Sequence, residues 1–224
     1  PLARLGKRVS TTPAPLEADI DVAQFGPSPR QAAVTWELVG DSRKVLADGQ
    51  LPVATIPLGN GVALGSAKID LRAVPAPARY RFEVTVRPLS NRSPSTAAAF
   101  QNDWDVWVYP SEVDTRPPPG LVVATELDDP ALAALDAGGK VLLLIPPARV
   151  RNSQADKVAL GFSSIFWNTA WTRRQPPTTL GILCDPKHPA LADFPTDFHS
   201  NWQWWYLVSQ AGAMILDDLP GELH

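Results

Sequence analysis

The sequence predicts a β-sandwich followed by an α/β domain with a mostly parallel sheet. Three observations lead to this prediction: strand-like segments separated by turn residues, a run of prolines, and then a helix between two apolar runs. Short strands at regular spacing are typical of antiparallel sandwiches, whereas strands that alternate with helices indicate βαβ units. The predicted boundaries are a leader over 1–18, a sandwich over 19–113, a Pro-rich linker over 114–120 and an α/β domain over 121–224.

The composition bounds the class of protein. Hydrophobic residues make up 45% of the 224 residues, which is enough for sizeable cores, and the net charge is -3. Lys and Arg are scattered, so a nucleic-acid partner is not expected. The longest apolar runs, KVLLLIPP and GLVVA, are far shorter than the roughly 20 residues that span a bilayer, so no membrane partner is expected either. The single Cys excludes an intrachain disulfide, and we expect the chain to be a piece of a longer protein.

Six segments of the first part read as strands: ADIDVAQF, QAAVTWELV, VLADGQLPVATIPL, SAKIDLRAV, RYRFEVTVRPL and DWDVWVYP. In YRFEVTV the period of two places Tyr80, Phe82, Val84 and Val86 on one face. We interpret Trp36 as a core residue. The sequence GNG at 59–61 predicts a tight turn.

In the second part of the chain the spacing of the apolar residues changes. GLVVATEL and KVLLLIPP are predicted strands, and between them DDPALAALDAGG is a predicted helix with Asp129 as N-cap and Gly138 at its end. TLGILC and AMILDDLP are predicted as further strands. DFHSNWQWWYLVSQ is predicted to be a helix capped by Asp197 or Ser200, with Trp205 and Val208 facing inward.

Five phrases carry a resemblance to a known family: NDWDVWVYP, LDAGGKVLLL, IFWNTAW, GILCDPKHPAL and FPTDFHSNWQWWYLV. In this order they resemble the region after the catalytic barrel in bacterial family-two glycoside hydrolases of the β-galactosidase-like group. The resemblance implies an immunoglobulin-like sandwich and a flavodoxin-like or glutamine-amidotransferase-like accessory domain. It also implies a secreted or periplasmic parent protein.

The resemblance does not bring the family's chemistry with it. These glycosidases use two Glu on a barrel of about 250 residues, and the chain has no such barrel. Its six Glu are scattered over strands and linkers: Glu17, Glu37, Glu83, Glu112, Glu126 and Glu222. The expected function is therefore a non-catalytic accessory fragment without a cofactor. Its expected partners are the parent's catalytic barrel and carbohydrate, with a structural or homo-oligomerising module as an alternative.

A different alternative is a small esterase-like hydrolase that uses Cys184, His188 and His199. Cys184 ends a predicted strand, where α/β folds place nucleophiles, but the context GILCDP has no glycine-rich elbow. With Asp185, the same groups do not match structural zinc spacing, so no metal is expected. Asp19, Asp21, Asp103 and Asp105 form a weak pattern for calcium.

The aromatic stretch before the C-terminus is the candidate binding site. Carbohydrates are recognised by flat aromatic faces, with hydrogen bonds from side chains such as Asn and His. The candidate residues are Trp167, His199, Asn201, Trp202 and Trp204. We expect the last four to cluster at the start of a helix. The alternative is that these aromatic residues pack against the parent's barrel.

Overall fold

The structure is a computed structural model, which describes residues 1–89, 98–149 and 181–212. The strands in this part of the chain are β1 (Leu2–Leu5), β2 (Val9–Thr11), β3 (Leu16–Gln24), β4 (Arg30–Val39), β5 (Val45–Ile56), β6 (Gly59–Ile69), β7 (Ala78–Pro88), β8 (Phe100–Tyr109), β9 (Leu121–Ala124) and β10 (Lys140–Leu143). The α-helices are α1 (Asp129–Asp136) and α2 (Trp205–Val208). Short 3-10 turns cover Asp41–Arg43, Pro147–Arg149, Pro189–Leu191 and Trp202–Trp204.

The chain divides into two compact units. The first unit comprises Pro1–Glu112 together with Pro186–Thr196. The second unit holds the described residues of Val113–Asp185 and Asp197–His224. Residues 186–196 thus belong with the strand-rich first unit, although they follow the Pro-rich stretch in the sequence.

The described residues of the first unit are strand-rich and form two sheets. One sheet has the order β1-β3-β6, and the other is a curled mixed sheet with the order β2-β8-β7-β4-β5. In the second sheet β2 runs parallel to β8, while the remaining pairs are antiparallel. Residues from both sheets form one buried cluster, with Ile20 and Ile69 from the first sheet and Val34, Phe82 and Val106 from the second. Burial of this shared apolar surface is the main force that holds the two sheets together.

Strand β7 confirms the predicted alternation. Tyr80, Phe82, Val84 and Val86 are all buried in the shared core. On the opposite face Glu83 is unexpectedly only 3% exposed. Its carboxylate is compensated there, because it accepts a hydrogen bond from the Gln101 amide at 2.6 Å.

Two aromatic residues of β8 lie on the outer face of the mixed sheet. Trp107 is fully buried, and its indole Nε1 has no hydrogen-bond partner among the described residues. Tyr109 stacks on Phe194 with ring centroids 5.8 Å apart. Burial raises the pKa of Tyr109 to about 12. Phe194 therefore covers part of a face that an isolated sheet would expose to solvent.

The tight turn predicted at 59–61 is wrong in position. Gly59 and Gly61, with φ of 143° and 64°, already lie in β6, and Gly59 pairs with Gln24 of β3. The turn from β5 occupies the two preceding residues, Pro57 and Leu58. The glycines serve the irregular start of the strand, where positive φ is costly for other residues. Trp36 packs against the core as predicted, with its ring centroid 6.2 Å from that of Phe82.

The second unit contains the predicted strand–helix–strand element. Strands β9 and β10 pair in parallel, and α1 connects them. The N-cap is Asp128 rather than the predicted Asp129, because the Asp128 carboxylate accepts from the Ala131 amide at 3.0 Å. Gly138 follows the helix with φ of 74°, in the left-handed region that commonly ends helices.

The larger parallel sheet of a flavodoxin-like domain is not supported by the described residues. Within 98–149 and 181–212, the parallel pairing of the second unit is limited to β9 and β10. The strand predicted from TLGILC is reduced, in its described residues, to a single bridge between Leu183 and His199. AMILDDLP lies outside the described residues. No helix in the described part of the chain is long and apolar enough to cross a membrane.

Candidate functional site

The backbone that leads into the candidate site is held by a short ladder of hydrogen bonds. The Cys184 amide donates to the Phe198 carbonyl at 2.9 Å, and the Ser200 amide donates to the Ile182 carbonyl at 2.9 Å. The buried Ser200 hydroxyl also accepts from the Ile182 amide at 3.0 Å. Because both ends of the ladder are held, the backbone that leads into Asn201 has a defined direction.

Asn201 then starts the helical segment, where Asp197 or Ser200 was predicted to do so. Its side-chain oxygen accepts from the Trp202 amide at 2.8 Å. The segment is a 3-10 turn over Trp202–Trp204 that continues as the four-residue helix α2. A single α-helix was predicted here, and the tighter first turn changes which side chains share a face, since the 3-10 repeat is three residues rather than 3.6.

The aromatic residues of this segment form a surface hollow. Its volume is about 220 Å3, and its lining residues are Ser200, Asn201, Trp202 and Trp205. Trp202 is 53% exposed and Trp205 is 48% exposed. We name these four residues the aromatic hollow. It combines two large partly exposed indoles with one amide side chain and one buried hydroxyl.

The predicted site residues are only partly brought together. Asn201 and Trp202 line the aromatic hollow. His199 is exposed but does not line it, and packs edge-on against Phe198 with centroids 4.7 Å apart. Trp204 is half-buried and does not line it either. Trp167 lies outside the described residues.

Sequence reasoning missed two site residues: Ser200, which was named only as a possible helix cap, and Trp205. Trp205 was predicted to face inward with Val208, but only Val208 is buried, at 3% exposure. The inward prediction for Trp205 is wrong because it assumed one regular helical period through the whole segment. The repeat of Trp at 202 and 205, three residues apart, was the available signal for a shared 3-10 face.

Among the described residues, those considered for hydrolase or metal chemistry have local partners of their own. The Cys184 thiol donates to the Asp197 carbonyl at 3.2 Å. His188 belongs to the first unit, where its Nδ1 accepts from the Ala190 amide at 3.1 Å. Among the described residues there is no group of three or more His, Cys, Asp and Glu side chains that could hold a metal ion.

The aspartates considered for calcium also have other surroundings. Asp19 accepts from the Ser66 hydroxyl at 2.6 Å, and Asp21 pairs with Arg4 at 2.8 Å. Asp103 and Asp105 lie on β8, in the other sheet. The four aspartates therefore do not share a site.

Comparison with known proteins gives two family matches. Residues 14–110 match the model of a domain of unknown function (DUF8488), and residues 122–224 match a second domain of unknown function (DUF8487). No curated protein matches the chain.

Among solved structures, the chain is similar to the β-glucuronidase of Parabacteroides merdae and to the same enzyme with glycerol in its active site. Each match has 21% identity and a TM-score of 0.32, and covers 47% of this chain. The chain spans only 13% of the length of that enzyme. What this chain does must therefore be argued from its own residues.

Proposed function

We propose that the chain is a non-catalytic accessory region of a glycoside hydrolase and that it binds carbohydrate in the aromatic hollow. The observation that carries the proposal is the pair of exposed indoles, Trp202 and Trp205, beside Asn201. The phrases that resemble the region behind the family-two catalytic barrel supply the class of parent protein. The parent's secreted or periplasmic location remains part of this proposal.

The chemistry of the hollow suits a sugar. The apolar C–H face of a pyranose packs on an indole, and the ring hydroxyls require donors and acceptors at its edge. The Asn201 oxygen is used by the Trp202 amide, so its amide nitrogen is the group we assign to a hydroxyl. Aromatic residues of this size present a large rigid surface at low conformational cost, which favours binding.

Two features of the first unit support an immunoglobulin-like sandwich as the scaffold. The order β1-β3-β6 matches strands A, B and E, and β8-β7-β4-β5 matches strands G, F, C and C′. In addition, the Tyr80 hydroxyl at the start of β7 donates to the Pro75 carbonyl. Such a bond from the start of strand F to the backbone a few residues upstream is the tyrosine corner of these folds.

Three of the described glutamates have partners of their own, which fits a non-catalytic role. Glu17 pairs with Lys68, and Glu126 pairs with Arg149. Glu83 is buried, and its carboxylate accepts a hydrogen bond from the Gln101 amide. A retaining glycosidase needs two carboxyl groups about 5 Å apart at the two sides of a sugar, whereas each of these three carboxylates is engaged by a basic or amide side chain of the chain itself.

A second candidate function is a packing surface for the parent's catalytic barrel. The second unit exposes several leucines by about half, namely Leu132, Leu135, Leu142 and Leu144. A surface with many large apolar side chains is typical of a protein contact site. In this case the aromatic hollow would be covered in the parent protein rather than open to a glycan.

Calorimetric titration of the chain with a panel of oligosaccharides tests the proposal. Trp202→Ala and Trp205→Ala should each abolish binding, while Tyr206→Ala should leave it unchanged. Tyr206 is a suitable control because it is 69% exposed in the same helix and does not line the hollow. All three variants should have melting temperatures close to that of the unsubstituted chain, because the truncated side chains are about half exposed or more.

The same experiment separates the two candidates. Carbohydrate binding that survives both tryptophan substitutions would refute the aromatic hollow as the site. Absence of binding to every glycan, together with tight association with a separately produced catalytic barrel, would favour the packing surface.

A further inference from the structure

A second concave site lies on the outer face of the mixed sheet in the first unit. It is a cleft of about 480 Å3. The chain from Gly40 to Arg43 forms one wall, β7 contributes Arg79 and Arg81, and β8 contributes Asp103 and Asp105. We name it the Arg43 cleft. Unlike the aromatic hollow, its lining is dominated by charged side chains of both signs.

Strand register explains why these charges share one face. Arg81 lies directly opposite Asp105, and Glu83 lies directly opposite Asp103. Directly opposite residues of an antiparallel pair point to the same face of the sheet. The core residues Phe82 and Trp104, one position along each strand, point to the other face. The cleft is thus a fixed consequence of the pairing of β7 with β8.

Glu83 does not line the cleft, but its buried carboxylate lies next to Arg43 and Arg81 without fully engaging either arginine. The Arg43 Nη2 is 3.4 Å from Glu83 Oε2, and the Arg81 Nη2 is 3.5 Å from Glu83 Oε1. Charge-assisted hydrogen bonds are usually about 2.7–2.9 Å long. The strong bond of Glu83 is instead the one from Gln101, at 2.6 Å. Arg43 keeps most of its donors accessible, because its side chain is 67% exposed.

The backbone conformation at Ser42 and Arg43 is energetically unfavourable. Ser42 and Arg43 have φ of 60° and 59°, in the left-handed region. Non-glycine residues adopt this conformation at a cost of about 1 kcal/mol or more each. Two such residues in succession turn the chain after β4 so that Arg43 stands over Glu83. Strain of this kind concentrates at functional sites.

We propose that the Arg43 cleft binds a sugar acid, with its carboxylate held by the guanidinium of Arg43 and with its hydroxyls donating hydrogen bonds to Asp103 and Asp105. A guanidinium matches a carboxylate with two parallel N–H donors. Carboxylate side chains are strong acceptors for sugar hydroxyls. Three carboxylates, Asp41, Asp103 and Asp105, line the cleft together with three arginines, Arg43, Arg79 and Arg81, so the lining has no excess of positive charge and a doubly charged phosphate is disfavoured. The chemistry therefore selects a single negative charge on a polyhydroxylated ring.

This site is independent of the aromatic hollow, since all its residues belong to the first unit. The test uses the complete chain and three probes: sodium galacturonate, galactose and inorganic phosphate. Galacturonate and galactose differ at one carbon, which carries a carboxylate in the first and a hydroxyl group in the second. We expect galacturonate to bind about tenfold or more tightly than galactose, which is the effect of one charged hydrogen-bonding group. Added salt should weaken the binding, because the site is open to solvent.

The decisive variant is Arg43→Gln, which retains a donor but removes the charged fork. It should weaken galacturonate binding about tenfold or more, whereas Arg116→Gln should not change it. Arg116 is the matched control, because it pairs with Asp114 on an exposed surface and is not among the cleft residues. A second variant, Asp103→Ala, removes an acceptor for the ring hydroxyls and should weaken the binding of galactose, which has no charge for the carboxylate to repel. Thermal melts of each variant establish that the chain remains folded.

Three results would overturn the proposal. One is that the unsubstituted chain does not bind galacturonate at millimolar concentrations of the sugar acid. Another is equal affinity for phosphate and galacturonate, which would indicate an unselective anion site. The third is binding that is lost in Trp202→Ala but kept in Arg43→Gln, which would place the sugar acid in the aromatic hollow instead.

Discussion

Substitution of Gly49 by Ala should destabilise the first unit through one ring contact. Gly49 lies directly opposite Trp36 in the pairing of β4 with β5. A β-carbon at position 49 would lie 2.2 Å from Trp36 Cζ2 and 2.4 Å from Cε2, far inside the 3.0 Å limit of real contacts. Trp36 must therefore move. Since its ring packs against the core and Phe82, any movement disturbs buried neighbours.

The size of the effect follows from overpacking. Forcing extra atoms into a packed site typically costs about 1–3 kcal/mol. In a domain slightly above 100 residues, 1 kcal/mol lowers the melting temperature by about 4 °C. We therefore expect the transition of the first unit to fall by roughly 4–12 °C. Differential scanning calorimetry is the suitable measurement, because a two-unit chain need not melt in one transition.

Matched variants isolate the ring contact. Gly6→Ala is the control, because a β-carbon there meets no atom within 4 Å, and its melting should change little. Trp36→Leu combined with Gly49→Ala should cost less than the sum of the two single changes, since the clash is removed with the ring. The reasoning is refuted if Gly49→Ala melts like Gly6→Ala, or if the two changes are additive.

Three further predictions concern single side chains. Phe194→Ala should lower the pKa of Tyr109 from about 12 toward the ordinary value near 10, because the ring that stacks on it is lost; phenolate absorbance measures this, with Tyr109→Phe as the control that identifies the signal. In the unsubstituted chain the raised pKa of Tyr109 means that the unfolded state loses the phenol proton at a lower pH than the folded state. The stability should therefore fall as pH rises from about 10 to about 12, and a stability that stays constant over that window would contradict the raised pKa of Tyr109. Asp128→Ala should lower the free energy of unfolding by about 0.5–2 kcal/mol, because the N-cap of α1 is lost, and Asp129→Ala should lower it by less. Equal effects of the two substitutions in urea unfolding would show that Asp128 is not the N-cap. Ser42→Gly should stabilise the first unit by about 1 kcal/mol by relieving a left-handed φ, and Ser28→Gly, at an exposed bend, should not; a lowered melting temperature for Ser42→Gly would show that the turn is unstrained.

The sequence by itself determined the local elements whose signals are contained in a few neighbouring residues. The alternation of Tyr80, Phe82, Val84 and Val86 specified both the strand β7 and its buried face, because the period of two leaves one apolar side. The segment with Pro130 and Gly138 specified α1 and its end. Even here the cap was misplaced by one residue, since Asp128 and Asp129 offer the same side chain and only the backbone angles distinguish them.

The tertiary structure decided which residues meet. Glu83 lies on the face of β7 opposite its apolar residues, yet it is buried because Gln101, Arg43 and Arg81 converge on it. Trp205 looked inward, yet a 3-10 turn places it beside Trp202 at the aromatic hollow. Residues 186–196 looked like part of the second domain, yet Phe194 stacks on Tyr109 in the first unit. Periodicity reports the faces of one element, whereas the contacts between elements depend on register and loop path. Those are fixed only when all apolar surfaces are buried together.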